Sequence, residues 1–340
     1  ADEFLGMDKC LYKDSLRLVP SLIDFSLVVC NTGILDEVAD KNGELGKINE
    51  TIKAARDELR KTKFGNWGES EKILPVIEWP QFMRAAPEFY ERVTTQELRY
   101  AGFSSDEDLE CLVVLLLDYL RAKRVICRKN DTAPSKNLTS TLRQEIVKHL
   151  AMLADICIPE RREEDAPLGG TPEKCLFFQT WHSKIFSKSA GSGSYIPLKI
   201  GAGWHAARGG YYWGILNNGL GGERAKSVLQ YASNTSMNLF RISKRVGLPP
   251  RSKFYVYTDE LGIDNLGLMR SVYRSSWSRT EYVNYHAIAS HLRAFLYEYL
   301  SYVDRRRACS QPPRETINSW LARFLDKMLK DVQEAATHGG

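Results

Sequence analysis

The longest uninterrupted apolar run in the chain, Leu112 to Leu117, is only six residues long and lies inside a helical pattern. A membrane span needs roughly 20 apolar residues, so no span is expected and this run must be buried in a protein core. Of the 340 residues, 43% are hydrophobic and 26% charged, a globular balance rather than a disordered one. That length exceeds one ordinary domain and predicts two lobes.

The first half reads as helices. Between Gly43 and Lys63, Leu45, Ile48, Ile52, Ala55 and Leu59 recur at spacings of three and four with charge elsewhere, the mark of an amphipathic helix. Ser104 to Glu107 offers oxygens for orphan amides and predicts a helix start. It opens an apolar helix from Leu109 to Val125. Ser140 to Ile158 repeats the pattern, with Leu142, Ile146, Leu150 and Leu153 on one stripe. Period-two alternation is not sustained, so few strands are expected.

A break follows at Pro159 to Pro172, which combines charge, prolines and glycines and predicts an exposed linker. Beyond it, Gly191 to Gly222 holds ten of the chain's 24 glycines, interleaved with Tyr195, Trp204, Tyr211, Tyr212 and Trp213. That texture predicts turns and short helices. Helical spacing returns from Arg224 to Val246, across residues 264–303, and from Glu315 to Val332. The resulting division is an N-terminal arm at 1–20, a helical lobe at 21–165, a basic helical lobe at 166–310 and a final helix at 311–340.

Charge is unevenly placed. Residues 1–165 carry 24 basic and 30 acidic side chains, whereas 166–340 carry 23 and 12. From Lys174 to Thr258 there are 12 basic residues and one acid, Glu223. Such asymmetry points to a polyanion. Lysines and arginines neutralise phosphates, and aromatic faces stack on unpaired bases. The candidate binding residues are Lys184, Lys188, Lys199, Arg208, Tyr211, Arg224, Lys226, Arg241, Lys244, Arg245, Arg251 and Lys253. Arg121, Lys123 and Arg124 join them from a second basic cluster. Helix capping and core packing are the competing explanations for that cluster and for Tyr211 to Trp213.

Catalytic patterns are weak. The six histidines show no metal-ligand spacing, and no complete phosphate-binding loop is present. No cofactor or metal is expected. Seven scattered cysteines without a C-x-x-C pair suggest buried thiols in a reducing compartment. The acidic first six residues do not predict a secretory leader.

The segment Trp204 to Gly222, set between a helical first half and a basic second half, resembles the glycine-rich aromatic turns of nucleoproteins from non-segmented negative-strand RNA viruses. The resemblance implies a mainly α fold of two helical lobes with a basic groove between them and terminal arms. It further implies a non-enzyme that encapsidates single-stranded RNA without sequence preference. Subunits would exchange Ala1 to Leu18 and the helix bearing Ile317, Leu321, Phe324, Leu325 and Leu329. A viral polymerase or phosphoprotein would be a partner, a membrane would not, and the location would be a virion nucleocapsid or the host-cell interior. Two alternatives stay open. One is a nucleic-acid-processing enzyme, a helical ribonuclease pairing Arg143 with His149 or Arg279 with His286, or a recombinase using His291. The other is the coat protein of a flexible filamentous virus.

Overall fold

The computed structural model describes residues 11–12, 15–16, 18–61, 74–95, 97–104, 109–126, 139–157, 170–186, 195–201, 206–215, 222–244, 247–251, 254, 269, 272–273, 276–278, 284–308 and 316–337. A short hairpin of β1 (Leu11–Tyr12) and β2 (Ser15–Leu16) precedes the strand that organises the fold, β3 (Leu18–Asn31). This strand is 14 residues long, about 45 Å at a rise of roughly 3.3 Å per residue. From Pro20 to Asn31 every side chain except Leu22 is buried. A strand covered on both faces has no wet side to alternate with.

Asn31 ends β3 by capping α1 (Thr32–Val38), accepting hydrogen bonds from the amides of Gly33 and Ile34. Next come α2 (Glu44–Lys61), β4 (Val76–Ile77), α3 (Trp79–Arg92), β5 (Arg99–Phe103), α4 (Glu110–Ala122) and α5 (Ser140–Cys157). The second half supplies β6 (Cys175–Trp181), α6 (His182–Phe186), β7 (Tyr195–Ile200), β8 (Ala207–Gly214), α7 (Gly222–Ala232), α8 (Thr235–Ser243) and β9 (Trp277–Ser278). It closes with α9 (Tyr285–Ala308) and α10 (Ile317–Thr337).

Among the described residues these strands form one seven-stranded mixed sheet. Its main path is β4-β7-β3-β6-β5, with β8 on β3 and β9 on β8. The expectation of two helical lobes is therefore corrected: the centre is a sheet, and it draws strands from both sides of the Pro159–Pro172 break. The glycine-rich stretch expected to be turns contains β7 and β8. Arg224 to Val246 is not one helix, because Asn234 caps α8 through the Met237 amide at 2.7 Å.

The sheet changes composition half-way along β3. Ser26 pairs with Trp181 on one edge and Ala207 on the other, and Val28 pairs with Gln179 and Leu198. It follows that β7 and β8 run one after the other along the same edge of β3. Between them the chain turns at Gly201, whose φ of +80° suits glycine and whose amide donates to the Ile77 carbonyl at 2.8 Å. Further along, Gly210 faces Ile23, and a Cβ there would stand 2.6 Å from the Leu22 carbonyl oxygen. Only glycine lets the two backbones approach so closely. Pro20 sits at a register shift in the same pair, where its missing N–H breaks no regular ladder.

The helices behave as their patterns predict. Leu45, Ile48, Ile52 and Ala55 of α2 are buried, as are eight apolar side chains of α4. The stripe of α10 is buried too: Leu321, Leu325 and Leu329 are fully enclosed by the same chain, and Trp320 stacks on Tyr302 and Tyr299 of α9. The reading of this helix as an exchanged arm is thereby corrected. The counterpart arm, Ala1 to Leu18, lies largely outside the described residues. No described helix is long and apolar enough to cross a membrane.

Candidate functional site

Where β3 changes partners, a cleft of about 490 Å³ opens over the sheet. Its lining combines Asp24, Trp181, Ser183 and Lys184 with Arg208 to Tyr212 and Ser278. Cross-strand pairing determines what each strand presents. Trp181 pairs with Ser26, Gly209 with Asp24 and Tyr211 with Leu22. Directly paired residues share a face, so Trp181, Asp24 and Tyr211 all stand on one side of the sheet. Gly209 adds no side chain opposite Asp24, which leaves the floor open. Trp181 and Tyr211 flank this gap two strands apart, about 10 Å laterally, and about 13 Å apart along β3.

Asp24 is the buried carboxylate of the site. Its Oδ1 accepts from the amides of Phe25 at 2.9 Å and Ser183 at 3.0 Å, and its Oδ2 accepts from the Ser183 hydroxyl. Burial pushes the Asp24 pKa above its ordinary value, opposed by the Ser183 and Phe25 hydrogen bonds and by the charge of Lys184. Lys184 is exposed at the rim and donates to Ser104 Oγ at 2.9 Å. Next to Ser183, burial lowers His182 to about 4. No group of three or more potential metal ligands occurs among the described residues. The arrangement offers aromatic faces, a carboxylate, a hydroxyl and an ammonium around an open floor. That combination holds and orients a polar ligand.

Of the fifteen residues picked out from the sequence, the cleft takes side chains from Lys184 and Tyr211. Arg208 lines it by position, yet pairs with Phe25 on the opposite face and rests its guanidinium 4.7 Å from the Tyr273 ring centroid. The others are dispersed. Arg121 pairs with buried Asp118 at 3.2 Å, Lys123 with Glu145 at 2.7 Å, and Arg124 takes a left-handed conformation at the end of α4. This second basic cluster is thus used up by ion pairs and a helix terminus. Lys199 lies in β7 beside β4. Arg224 and Lys226 project from α7, the latter bound to Glu223 at 2.6 Å. Arg241 reaches the Ser21 carbonyl, Lys244 lies over Phe240, and half-buried Arg251 follows the bridge of Leu248 to Ile23. Lys188, Arg245 and Lys253 lie outside the described residues.

Sequence reasoning missed Asp24, Trp181, Ser183 and Ser278 as site residues. One signal was available: Asp24 is the lone charge in the run from Val19 to Cys30, and a carboxylate inside a buried strand marks a site worth testing.

No family model and no curated protein matches the chain. Solved structures do match it at the level of fold. Maltose-bound MalE3 of T. maritima aligns with a TM-score of 0.59 and 18% identity, over 96% of this chain and 76% of that one. The GacH receptor of Streptomyces glaucescens, solved unliganded and with acarbose, aligns at 0.55 and 16%, over 96% and 74%. A periplasmic solute-binding protein of Pectobacterium atrosepticum aligns at 0.56 and 12%, over 97% and 76%. The chain has the fold of solute-binding proteins.

That likeness overturns the nucleoprotein reading. With it go single-stranded RNA, exchanging subunits, a viral polymerase or phosphoprotein, and a virion or host-cell location. The physical reasons are on the molecule: the described basic residues do not converge on a groove, and the apolar stripe of the last helix is buried at home. The nucleic-acid enzymes and the filamentous coat protein fall as well. His149 is sealed between Tyr119 and Trp79 and lowered to about 3 by burial and then by Lys123, while Arg143 is bound to Asp326 at 2.8 Å. His286 and His291 are exposed on α9. Nor do the thiols report a compartment. Cys30, Cys111 and Cys175 are buried, and burial pushes Cys175 up to about 12, which disfavours the reactive thiolate.

Proposed function

We propose that this chain captures a saccharide in the cleft over Asp24 and delivers it to a membrane transporter, acting outside the cytoplasm as a binding protein rather than an enzyme. The observation that carries the reading is the composition of the cleft at the partner switch of β3. A sugar ring has an apolar C–H face and a rim of hydroxyls. Trp181 and Tyr211 supply flat faces for the first, and Ser183, Asp24 and Lys184 supply donors and acceptors for the second. The volume lies within the range of ligand pockets. The separation of the two rings suits a linear oligosaccharide better than a single ring. The neighbours in fold described with maltose or acarbose point the same way.

The strand arrangement also supports closure. The Leu18–Asp24 half of β3 pairs with β8, the Val28–Asn31 half with β6 and β7, so the two parts of the sheet meet near Ser26. Bending there brings Tyr211 toward Trp181, the hinge closure by which two-lobed binding proteins enclose ligands. Calorimetric titration with maltotriose, chitotriose and other neutral oligosaccharides tests the reading. A saturable heat with at least one of them is expected. Tyr211→Ala, at a position 66% exposed, should weaken binding about tenfold without changing the melting temperature. Absence of binding across the panel would remove the saccharide assignment.

A further inference from the structure

The helical pair α7 and α8 buries Ile242 but leaves several large apolar side chains in water. None of the α7 side chains is buried, and Val228 and Tyr231 are 65% and 63% exposed. On α8, Phe240 is 55% exposed. The exposed face extends to the end of β8, where Trp213 and Ile215 also stand in solvent and the Arg241 guanidinium approaches the Trp213 ring. The pattern is regular rather than accidental. Arg224, Val228 and Tyr231 follow one another at helical spacing on α7, and Phe240 and Lys244 do so on α8, with the ammonium 5.9 Å from the ring.

The charge on this face has one dominant sign. Lys226 and the single acid, Glu223, neutralise each other at 2.6 Å, which leaves Arg224, Arg241 and Lys244 as the charges of this surface. A protein-docking surface is depleted in lysine at its centre. Aromatic and aliphatic side chains mixed with lysine and arginine are instead the mark of helices that lie in a membrane interface. There, rings and aliphatic chains enter the headgroup layer while cations pair with anionic lipid.

We propose that the α7–α8 face rests on the surface of an anionic bilayer, with Tyr231, Phe240 and Trp213 inserting and Arg224 and Lys244 holding the headgroups. The occupant is lipid, and the contact is peripheral. This inference does not depend on the saccharide reading. It accounts for part of the basic excess between Lys174 and Thr258, which stands on this surface rather than in a groove.

Sedimentation of the full chain with vesicles tests it. Binding is expected to phosphatidylcholine vesicles containing phosphatidylglycerol, with little to phosphatidylcholine alone. Lys244→Glu should weaken it by at least about fivefold, and raised salt should do the same. The double variant Tyr231→Ala/Phe240→Ala should reduce binding about tenfold or more while the melting temperature holds, since both side chains are exposed. Equal binding by that variant, or no sedimentation with either vesicle, would overturn the proposal. So would patch-dependent self-association without vesicle binding, which would assign the face to a protein contact.

Discussion

Ser183 grips Asp24 with two donors, its amide meeting Oδ1 at 3.0 Å and its hydroxyl meeting Oδ2. The pair joins α6 to the middle of β3 across 159 residues of chain, directly beneath the cleft. It stabilises a carboxylate that burial would otherwise disfavour.

The pH dependence of this carboxylate has a defined sign. Burial raises its folded pKa above the ordinary 3.8. The folded state therefore binds a proton more tightly than the unfolded chain does, and stability from this group is present in acid and lost as pH rises through the folded value. Asp24→Asn keeps the acceptor and the shape but cannot ionise. The melting temperature of the variant should gain on that of the parent between about pH 3 and pH 7. A difference that stayed flat, or shrank, would show that Ser183 and Lys184 outweigh burial.

His149 acts in the opposite direction. It stacks on Tyr119 at 3.8 Å with the Trp79 edge at 4.4 Å, and burial holds it neutral down to about pH 3. Its folded pKa lies below the unfolded value of 6.5, so its contribution is complete above 6.5 and is lost as pH falls toward the folded value. His149→Phe retains a ring for Tyr119 and removes the titration. Acid unfolding followed by circular dichroism should shift to lower pH in this variant. An unchanged acid midpoint would mean that other groups control acid lability.

Leu325 is fully enclosed on α10 by its own chain. Leu325→Ala should cost about 2–5 kcal/mol, the range for emptying a tightly packed leucine site. Because the packing is intramolecular, the loss in urea unfolding should be the same at low and high protein concentration. A cost that changed with concentration would restore a role for this helix between subunits.

The legible part of the fold is helical. The stripes of α2 and α10, and the run Leu112–Leu117 inside α4, could be read directly because an α-helix makes its hydrogen bonds within four residues and displays its buried face in the order of its own sequence. The site was legible only in Tyr211 and Lys184, singled out for aromatic and basic character. Trp181 and Ser183 lie in a stretch with no motif, and they matter only because Ser26 and Asp24 are their partners.

The sheet escaped detection for a physical reason. β3 is wet on neither face along most of its length, so it lacks the alternation that marks a half-buried strand. The glycines of β8 look like turn residues, yet Gly210 serves close strand approach and Gly209 leaves room above Asp24. Basic residues were misleading because charge in sequence does not say what a side chain meets. Arg121 meets Asp118, Lys123 meets Glu145, and Arg208 turns toward Tyr273.

By itself, the sequence determined the helices α2, α4, α5 and α10 and the apolar stripes by which they pack. Tertiary structure alone decided the pairing of Ser26 with both Trp181 and Ala207, and with it the fold, the partner switch and the cleft. Strand hydrogen bonds close only on distant chain, so their register is a property of the whole molecule rather than of any local stretch.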